Sequence, residues 1–232
     1  MGPRYRARYP APVTEQRAFR LGYVPGVTPD KWARMWAERR PHVPLELTLA
    51  PTDEVVTAVR ATELDAGLVR APIDRVGLHA IPLYTETTVV VVPKDHVVTA
   101  ADEATLDDLA DEIVQRPQDD TLPWTDRPGR AAVSDPETTA DAIELVAAGV
   151  GVLVLPLSLA RLHHRRDLTH RPLRDAPQSG IVLTWPDAEN SEDMEEFIGI
   201  VRGRTVNSSR TPRPVKTQPV RKQPPRRTGR RR

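Results

Sequence analysis

The hydrophobic positions along the chain alternate between short strand-like runs and helical stripes. Apolar, β-branched runs at 19–24, 66–69 and 181–185 predict strands, and the long run at 81–92 predicts either a pair of strands or one strand that crosses between two lobes. Ser191 is suited to capping a helix. In the helix predicted after it, one face contains Met194, Phe197, Ile198 and Val201. Alternating strands and helices predict an α/β fold.

The segment 133–156 has the clearest pattern of turn, helix and strand. Asp135 and Pro136 are suited to the cap and the first position of a helix. Gly149 can take the left-handed conformation that ends a helix, and the apolar run 150–155 predicts a strand buried on both faces of a sheet. One face of the helix collects Ala140, Ile143, Val146 and Ala147.

Composition separates a globular body from its two ends. Residues 1–18 hold prolines and arginines without periodicity, and residues 206–232 are dominated by Arg, Lys, Pro, Thr, Ser, Gln and Gly, so we expect a disordered arm and a disordered tail. After Glu196 there are twelve basic residues and no acidic one, which leaves 21 basic and 32 acidic residues, a net charge of −11, in the rest of the chain. An acidic body with a basic end is typical of an interaction arm.

Several classes of protein are disfavoured by what the sequence does not contain. There is no cysteine, so disulfides, thiol chemistry and thiolate metal sites are excluded. No stretch approaches the roughly 20 apolar residues of a membrane span, and no secretory signal is recognisable, so we expect a cytoplasmic protein. No G-x-S-x-G, P-loop or H-E-x-x-H motif occurs. We therefore expect no enzymatic activity and no cofactor, and we expect His163, His164 and His170 to be surface residues rather than metal ligands.

Two predicted turns between a strand and a helix are suited to binding a ligand. They are Gly26-Val27-Thr28 and Ser134-Asp135-Pro136, and the free N–H groups of the following helices favour a carboxylate or phosphate. Ligands of open α/β sheets bind at the carboxyl ends of the strands, where these turns lie. The alternative is that Thr28, Ser134 and Asp135 only cap their helices.

Three further residues at strand ends are candidates for ligand binding. Arg70 and Pro72 stand at the end of the strand predicted at 66–69, and the guanidinium of Arg70 can pair bidentately with an anionic effector. The alternative is a solvated surface arginine. Gln118 follows a short strand and can donate or accept a hydrogen bond, although it is equally compatible with a plain loop. The predicted ligand-binding set is therefore Gly26, Val27, Thr28, Arg70, Pro72, Gln118, Ser134 and Asp135.

The order of these segments resembles the effector-binding domain of LysR-type transcriptional regulators. The stretch L-V-A-A-G-V-G-V-L-V-L-P at 145–156 is similar to the segment that follows the family's second ligand loop. Other similar segments, in chain order, are 21–24, 44–47, 63–69, 90–93 with His96, 182–185 and 197–202. The similarity spans residues 19–203, and these motifs, each weak alone, make a strong resemblance because they occur in the right order and spacing.

The resemblance implies an α/β fold of two lobes joined by two crossovers, like a type 2 periplasmic binding protein. Lobe I is expected at 19–93 and 178–205, and lobe II at 94–177. The implied function is that of a sensor in transcription regulation, with a small, anionic organic effector bound between the lobes. In the family, such domains pair through the first helix and second strand, which implies a homodimer through Trp32, Met35, Trp36 and the Leu45 strand.

The sequence departs from the family pattern at its beginning. The family places a winged helix-turn-helix there, and residues 1–18 are too short for it, so we expect a sensor domain without its own DNA-reading domain. The alternative is a nucleic-acid-associated protein whose basic tail neutralises phosphates without sequence preference. A solvated tail that binds nothing is also compatible with the composition. An enzyme on the same two-lobed fold would need a set of catalytic residues, and we find none.

Overall fold

The computed structural model describes residues 17–188 and 190–204 of the 232-residue chain. They form two lobes, each built on a five-stranded sheet, and the chain crosses from one lobe to the other twice. The predicted tail lies outside the described residues, as does most of the predicted arm. No helix within the described ranges is long and apolar enough to cross a membrane.

The first lobe, lobe I, is built from both ends of the described chain. Its sheet has the order β2-β1-β3-β10-β4, in which β1 runs parallel to β2 and β3 while β10 runs antiparallel to β3 and β4. The strands are β1 (Phe19–Tyr23), β2 (Leu45–Leu49), β3 (Ala66–Ala71), β4 (Leu78–Glu86) and β10 (Ser179–Pro186). The helices are α1 (Asp30–Arg39), α2 (Thr52–Arg60) and α5 (Glu192–Val201).

An aromatic cluster joins the helices of lobe I to its sheet. The ring of Trp36 lies 4.7 Å from that of Phe19 and 5.9 Å from that of Phe197, measured between centroids, and only 1% of Trp36 is exposed. Its indole N–H donates to the carbonyl oxygen of Val43 at 2.8 Å. Trp36 is therefore a core residue, and the prediction that it contributes to a dimer surface is wrong. Trp32 on the same helix is only partly buried.

The second lobe, lobe II, is a continuous stretch of chain. Its sheet has the order β7-β6-β8-β5-β9. Because successive side chains alternate across a strand, Val89 and Val91 of β5 face one hydrophobic cluster while Val90 and Val92 face another. The strands are β5 (Thr88–Pro93), β6 (Ile113–Gln115), β7 (Arg130–Ala131), β8 (Val152–Pro156) and β9 (Leu168–Pro172), and the helices are α3 (Thr139–Ala147) and α4 (Leu157–Leu162).

The first crossing between the lobes occurs at Thr87. Only this residue separates β4 from β5, so the long run at 81–92 is close to one extended segment that serves both sheets. Val89 pairs with Leu155 and Pro172 of the second sheet, so β5 belongs to lobe II rather than to lobe I, where the sequence-based boundary after residue 93 had put it. The second crossing joins β9 to β10.

The helix beginnings differ from the sequence prediction at two of three places. Helix α3 begins after Thr138, whose hydroxyl accepts from the backbone N–H of Asp141 at 3.1 Å while the Asp141 carboxylate accepts from the N–H of Thr138. The helix is therefore capped by Thr138 and not by Asp135, whose side chain is exposed and caps no helix. Helix α1 likewise has no side-chain cap, so the predicted cap by Thr28 is wrong. Ser191 does cap α5, as predicted.

Candidate functional site

A groove runs between the two lobes and widens into two adjoining chambers. The large chamber has a volume of about 670 Å³ and the small chamber about 410 Å³. Pro25, Leu49 and Leu162 line both, so the chambers meet at an apolar waist. Each chamber falls within the roughly 300–1,000 Å³ that is usual for sites that hold small organic ligands.

The large chamber lies where both lobes present the beginning of a helix. Thr52 and Asp53 come from the first turn of α2 in lobe I, and Thr139 and Ala140 from the first turn of α3 in lobe II. Backbone N–H groups in a first helical turn have no partner within the helix, and they carry part of the helix dipole's positive end. The first turns of two helices, one from each lobe, therefore line the same cavity.

The large chamber also carries carboxylates. Asp119 accepts a hydrogen bond from the Thr139 hydroxyl at 2.8 Å. Neither Asp119 nor Asp53 makes an ion pair within the described residues. Asp120 is different, because Arg127 donates to it at 2.6 Å and neutralises its charge. The hydroxyl oxygen of Thr121 is buried in this region without a hydrogen-bond partner among the described residues.

The small chamber is lined by the turn after β1 and by one side of α4. Lobe I contributes Tyr23 and the turn from Pro25 to Thr28, and lobe II contributes Ser158 and Arg161. Arg161 is exposed and belongs to no ion pair of the part of the chain that the structure describes. A guanidinium beside several hydroxyls is suited to a carboxylate or a phosphate.

Arg70 is buried at the boundary between the lobes. Its side chain is 4% exposed, and its Nε donates to Glu86 Oε2 at 2.9 Å while Nη2 donates more weakly to Glu86 Oε1 at 3.5 Å. Nη1 donates to the carbonyl of Pro25 at 2.7 Å, and Nη2 also donates to Ser158 Oγ at 2.9 Å, across the groove. The guanidinium predicted to pair with an anionic ligand is thus paired with Glu86 of the same chain, and the alternative of a solvated surface arginine is wrong.

Gly26 allows the two lobes to touch at this point. It has φ +84°, and a Cβ there would lie 2.7 Å from Ser158 Oγ and 3.0 Å from Arg70 Nη2. Both the left-handed backbone and the close approach require a glycine. The turn after β1, helix α4 and the Arg70–Glu86 pair therefore form one contact that links the lobes.

Two titratable groups that line neither chamber have shifted pKa values. Burial lowers the pKa of His170, and the positive charges of Arg161 and Arg171 add to the effect. Burial also raises the pKa of Tyr84, with a further contribution from the Glu86 carboxylate that Arg70 opposes. Residues 17–188 and 190–204 contain no group of three or more His, Asp or Glu side chains placed to hold a metal ion.

The structure brings some of the predicted ligand-binding residues to the groove and leaves others outside. Gly26, Val27 and Thr28 line the small chamber, whereas Arg70 and Gln118 line the large one. The remaining three, Pro72, Ser134 and Asp135, are exposed and line neither chamber. The last two lie before the real beginning of α3, so they do not reach the cavity.

Sequence reasoning missed several lining residues. The spacing Thr138-x-x-Asp141 is a capping-box signal that would have located the start of α3, and with it Thr139. A weaker signal marks Asp53, because acidic residues are favoured in the first turn of a helix, where it lies in α2. No local signal marks Arg161, which reaches the groove only because α4 packs against the turn after β1.

A family comparison identifies this architecture. The family model described as "LysR substrate binding domain" matches residues 14–205. The chain belongs to this family. Matching relatives include the "Probable hydrogen peroxide-inducible genes activator" of Mycobacterium avium, 28% identical over 212 residues, which are 85% of this chain and 68% of the relative. The Hca operon transcriptional activator HcaR of Escherichia coli is 26% identical over 210 residues, 84% of this chain and 70% of HcaR.

Solved structures of the LysR family share the two-lobed fold. The BenM effector-binding domain with its effector benzoate has a TM-score of 0.68 at 21% identity, covering 81% of this chain and 91% of that one. The oxidised form of OxyR has a TM-score of 0.66 at 19% identity, covering 81% and 95%. The prediction of a two-lobed fold like that of type 2 periplasmic binding proteins is confirmed. So is the prediction of an effector-binding domain of the kind found in LysR-family transcriptional regulators.

Proposed function

We propose that this LysR domain senses a small organic effector bound in the groove between its lobes, and that it regulates transcription in response. The observation that carries the proposal is that residues of both lobes line both chambers. A ligand in the groove contacts both lobes, so it stabilises the lobe orientation in which those contacts form. Hinge closure around a ligand is a common switching motion of two-lobed folds.

The effector has an acidic group that lies in the small chamber. Arg161 supplies a positive charge that no carboxylate of the described residues pairs with, and the hydroxyls of Tyr23, Thr28 and Ser158 supply hydrogen bonds. Arg70 is not the anchor, because Glu86 already occupies its guanidinium. The benzoate of the BenM structure, itself a carboxylate, supports this proposal by analogy.

Blocking the waist of the groove tests the proposal. Leu162 lines both chambers and is 54% exposed, so Leu162→Trp should fill the waist at little cost to the fold. Val97→Trp, also an exposed position in lobe II and absent from the lining of both chambers, is the matched control. Native mass spectrometry should show a metabolite retained by the wild type and by Val97→Trp, and lost from Leu162→Trp. Retention by Leu162→Trp would place the ligand elsewhere.

The domain responds to reversible binding of its effector and not to oxidation of a thiol. The relative from Mycobacterium avium is named for hydrogen peroxide, and solved OxyR structures are described as reduced and oxidised. This chain contains no cysteine among its 232 residues, so it has no thiol to oxidise. Peroxide should leave its thermal melting and its ligand binding unchanged in a fluorimetric assay.

The domain forms a homodimer through α1 and β2. Strand β2 pairs only with β1 among the described strands, and Leu47 and Leu49 on it are 40% and 57% exposed. Trp32 and Met35 on α1 are partly buried and lie beside this edge, along with Leu45. An unpaired strand edge flanked by apolar side chains favours association with a second copy.

A second candidate function rests on the charge distribution of the sequence. The basic tail at 206–232 lies outside the described residues, yet its charge contrasts with the acidic body. Such a tail can bind nucleic acid weakly, without sequence preference and with strong salt dependence. Gel shifts on unrelated duplexes should show binding that disappears when residues 206–232 are deleted. Binding that survives the deletion, or that discriminates between duplexes, would contradict this candidate.

A further inference from the structure

We infer that the effector is a zwitterion, with its acidic group in the small chamber and a protonated amine in the large chamber. The inference rests on the proposed function, because it concerns the ligand of the same groove. It follows from the distribution of charge between the two chambers, which no single motif of the sequence reveals.

The large chamber has an excess of negative charge. Of the charged side chains that line it, Asp120 is neutralised by Arg127, and Arg70 by Glu86. Asp53 and Asp119 remain without an ion-pair partner within the described residues, one from each lobe. The side chains therefore contribute two uncompensated negative charges to this end of the groove.

The two helix N-termini reduce this charge but do not reverse it. Each helix N-terminus is equivalent to about half a positive elementary charge, so α2 and α3 together contribute about one. The sum is about one negative charge, which favours a cation. A carboxylate placed here would face two other carboxylates, a neighbourhood that disfavours its charged form.

Hydrogen-bond acceptors in the large chamber match an ammonium group. An ammonium group has three donors and no acceptor. Asp53 and Asp119 offer carboxylate oxygens, and Asp119 uses one of its oxygens to accept from Thr139. The hydroxyl oxygen of Thr121 has almost no accessible surface, so the carboxylates of Asp53 and Asp119, and not this hydroxyl, accept from a bound amine.

The small chamber has the opposite charge. Arg161 is the one charged side chain that lines it, and the other polar groups there are hydroxyls. The waist between the chambers is apolar, formed by Pro25, Leu49 and Leu162. A single molecule that fits both chambers thus needs an acidic end, a short apolar spacer and a basic end, as amino acids with terminal amines have.

Matched probes test this arrangement by isothermal titration of the full chain. The probes are the ω-amino acids of four to eight carbons, each with the monoacid, monoamine and diacid of the same length. We expect one amino acid to bind at least about tenfold more tightly than its monoacid and monoamine, and the diacid to bind most weakly.

Two substitutions assign the two ends of the ligand. Asp119→Asn keeps an acceptor for Thr139 but removes the charge. It should therefore lower the affinity for the amino acid about tenfold and leave the affinity for the monoacid unchanged. Arg161→Gln should lower the affinities for the amino acid and for the monoacid by the same factor, and leave the affinity for the monoamine unchanged. Val97→Gln, at a position that lines neither chamber, should alter none of these affinities.

The outcomes separate this inference from the proposed function. A diacid or monoacid that binds more tightly than every amino acid, and is lost in Leu162→Trp, overturns the zwitterion and leaves the groove as the effector site. Failure of every amino acid to bind also overturns the zwitterion, while the retained metabolite still decides the proposed function. Probe binding that Leu162→Trp does not affect overturns both.

Discussion

Removal of Arg70 should destabilise the domain far more than removal of any surface arginine. In Arg70→Met the Glu86 carboxylate, whose side chain is 5% exposed, loses the partner that compensates its burial. Breaking a buried ion pair in this way typically costs about 3–5 kcal/mol. Domains of this kind have a free energy of unfolding of about 5–15 kcal/mol, so the substitution should remove a large part of it.

Removing the charges of both Arg70 and Glu86 should restore most of the stability that Arg70→Met loses. In Arg70→Met with Glu86→Leu, the pair is replaced by apolar side chains, and such replacements are often close to neutral because the desolvation cost disappears with the attraction. We expect the free energy of unfolding of the double variant to be lower than that of the wild type by no more than about 2 kcal/mol. This remaining difference arises because the hydrogen bonds of Arg70 to Pro25 and Ser158 are also lost. The double-mutant cycle should therefore show a coupling energy of several kcal/mol.

Urea unfolding followed by circular dichroism and tryptophan fluorescence measures these differences. The control is Arg60→Met, because Arg60 pairs with Asp74 at the surface, with side chains 36% and 64% exposed. Exposed pairs contribute about 1 kcal/mol or less, so the control should unfold close to the wild type. The reasoning is refuted if Arg70→Met costs no more than Arg60→Met, or if the double variant is as unstable as the two single losses combined.

Three further predictions concern the lobe contact, pH and assembly. Gly26→Ala should lower the free energy of unfolding by more than Gly77→Ala: both have positive φ, but only Gly26 lacks space for a Cβ, and equal losses in urea would contradict this. The lowered pKa of His170 means that the unfolded chain binds more protons, so stability should fall below about pH 6.5 and His170→Gln should reduce that fall in thermal melts. Leu47→Glu should give monomers by light scattering where Val97→Glu stays dimeric; a wild-type monomer would contradict the interface.

Local patterns in the sequence predicted most of the strands and helices but not the contacts between the lobes. Gly149 ends α3 with φ +76°, as predicted, because a helix ending depends on nearby residues only. The start of α3 was misplaced because Asp135-Pro136 and the Thr138 capping box are both plausible caps, and only the formed structure selects one. Ala140, expected in the core, is exposed and lines the groove as a result.

The groove itself depends on distant pairings that no local pattern contains. Arg70 and Ser158 are 88 positions apart, and their hydrogen bond requires both sheets and both crossings to be in place. Trp36 illustrates the same limit, since an aromatic stripe on a helix predicts a buried face without saying whether the cover is the domain's own sheet or a second copy. Here, Phe19 and Phe197 provide the cover from both ends of the described chain.

The chain order of the two lobes has a consequence for protein synthesis on the ribosome. Lobe II runs without interruption from Thr88 to Leu173, whose N–H donates to the carbonyl of Thr88 at 3.0 Å, so its two ends already lie side by side. The sheet of lobe I is completed later, because β10, which pairs with both β3 and β4, is translated after the whole of lobe II. The nascent chain therefore completes its inserted lobe first, while β3 and β4 keep unpaired edges that nearby chaperones or other nascent chains can reach.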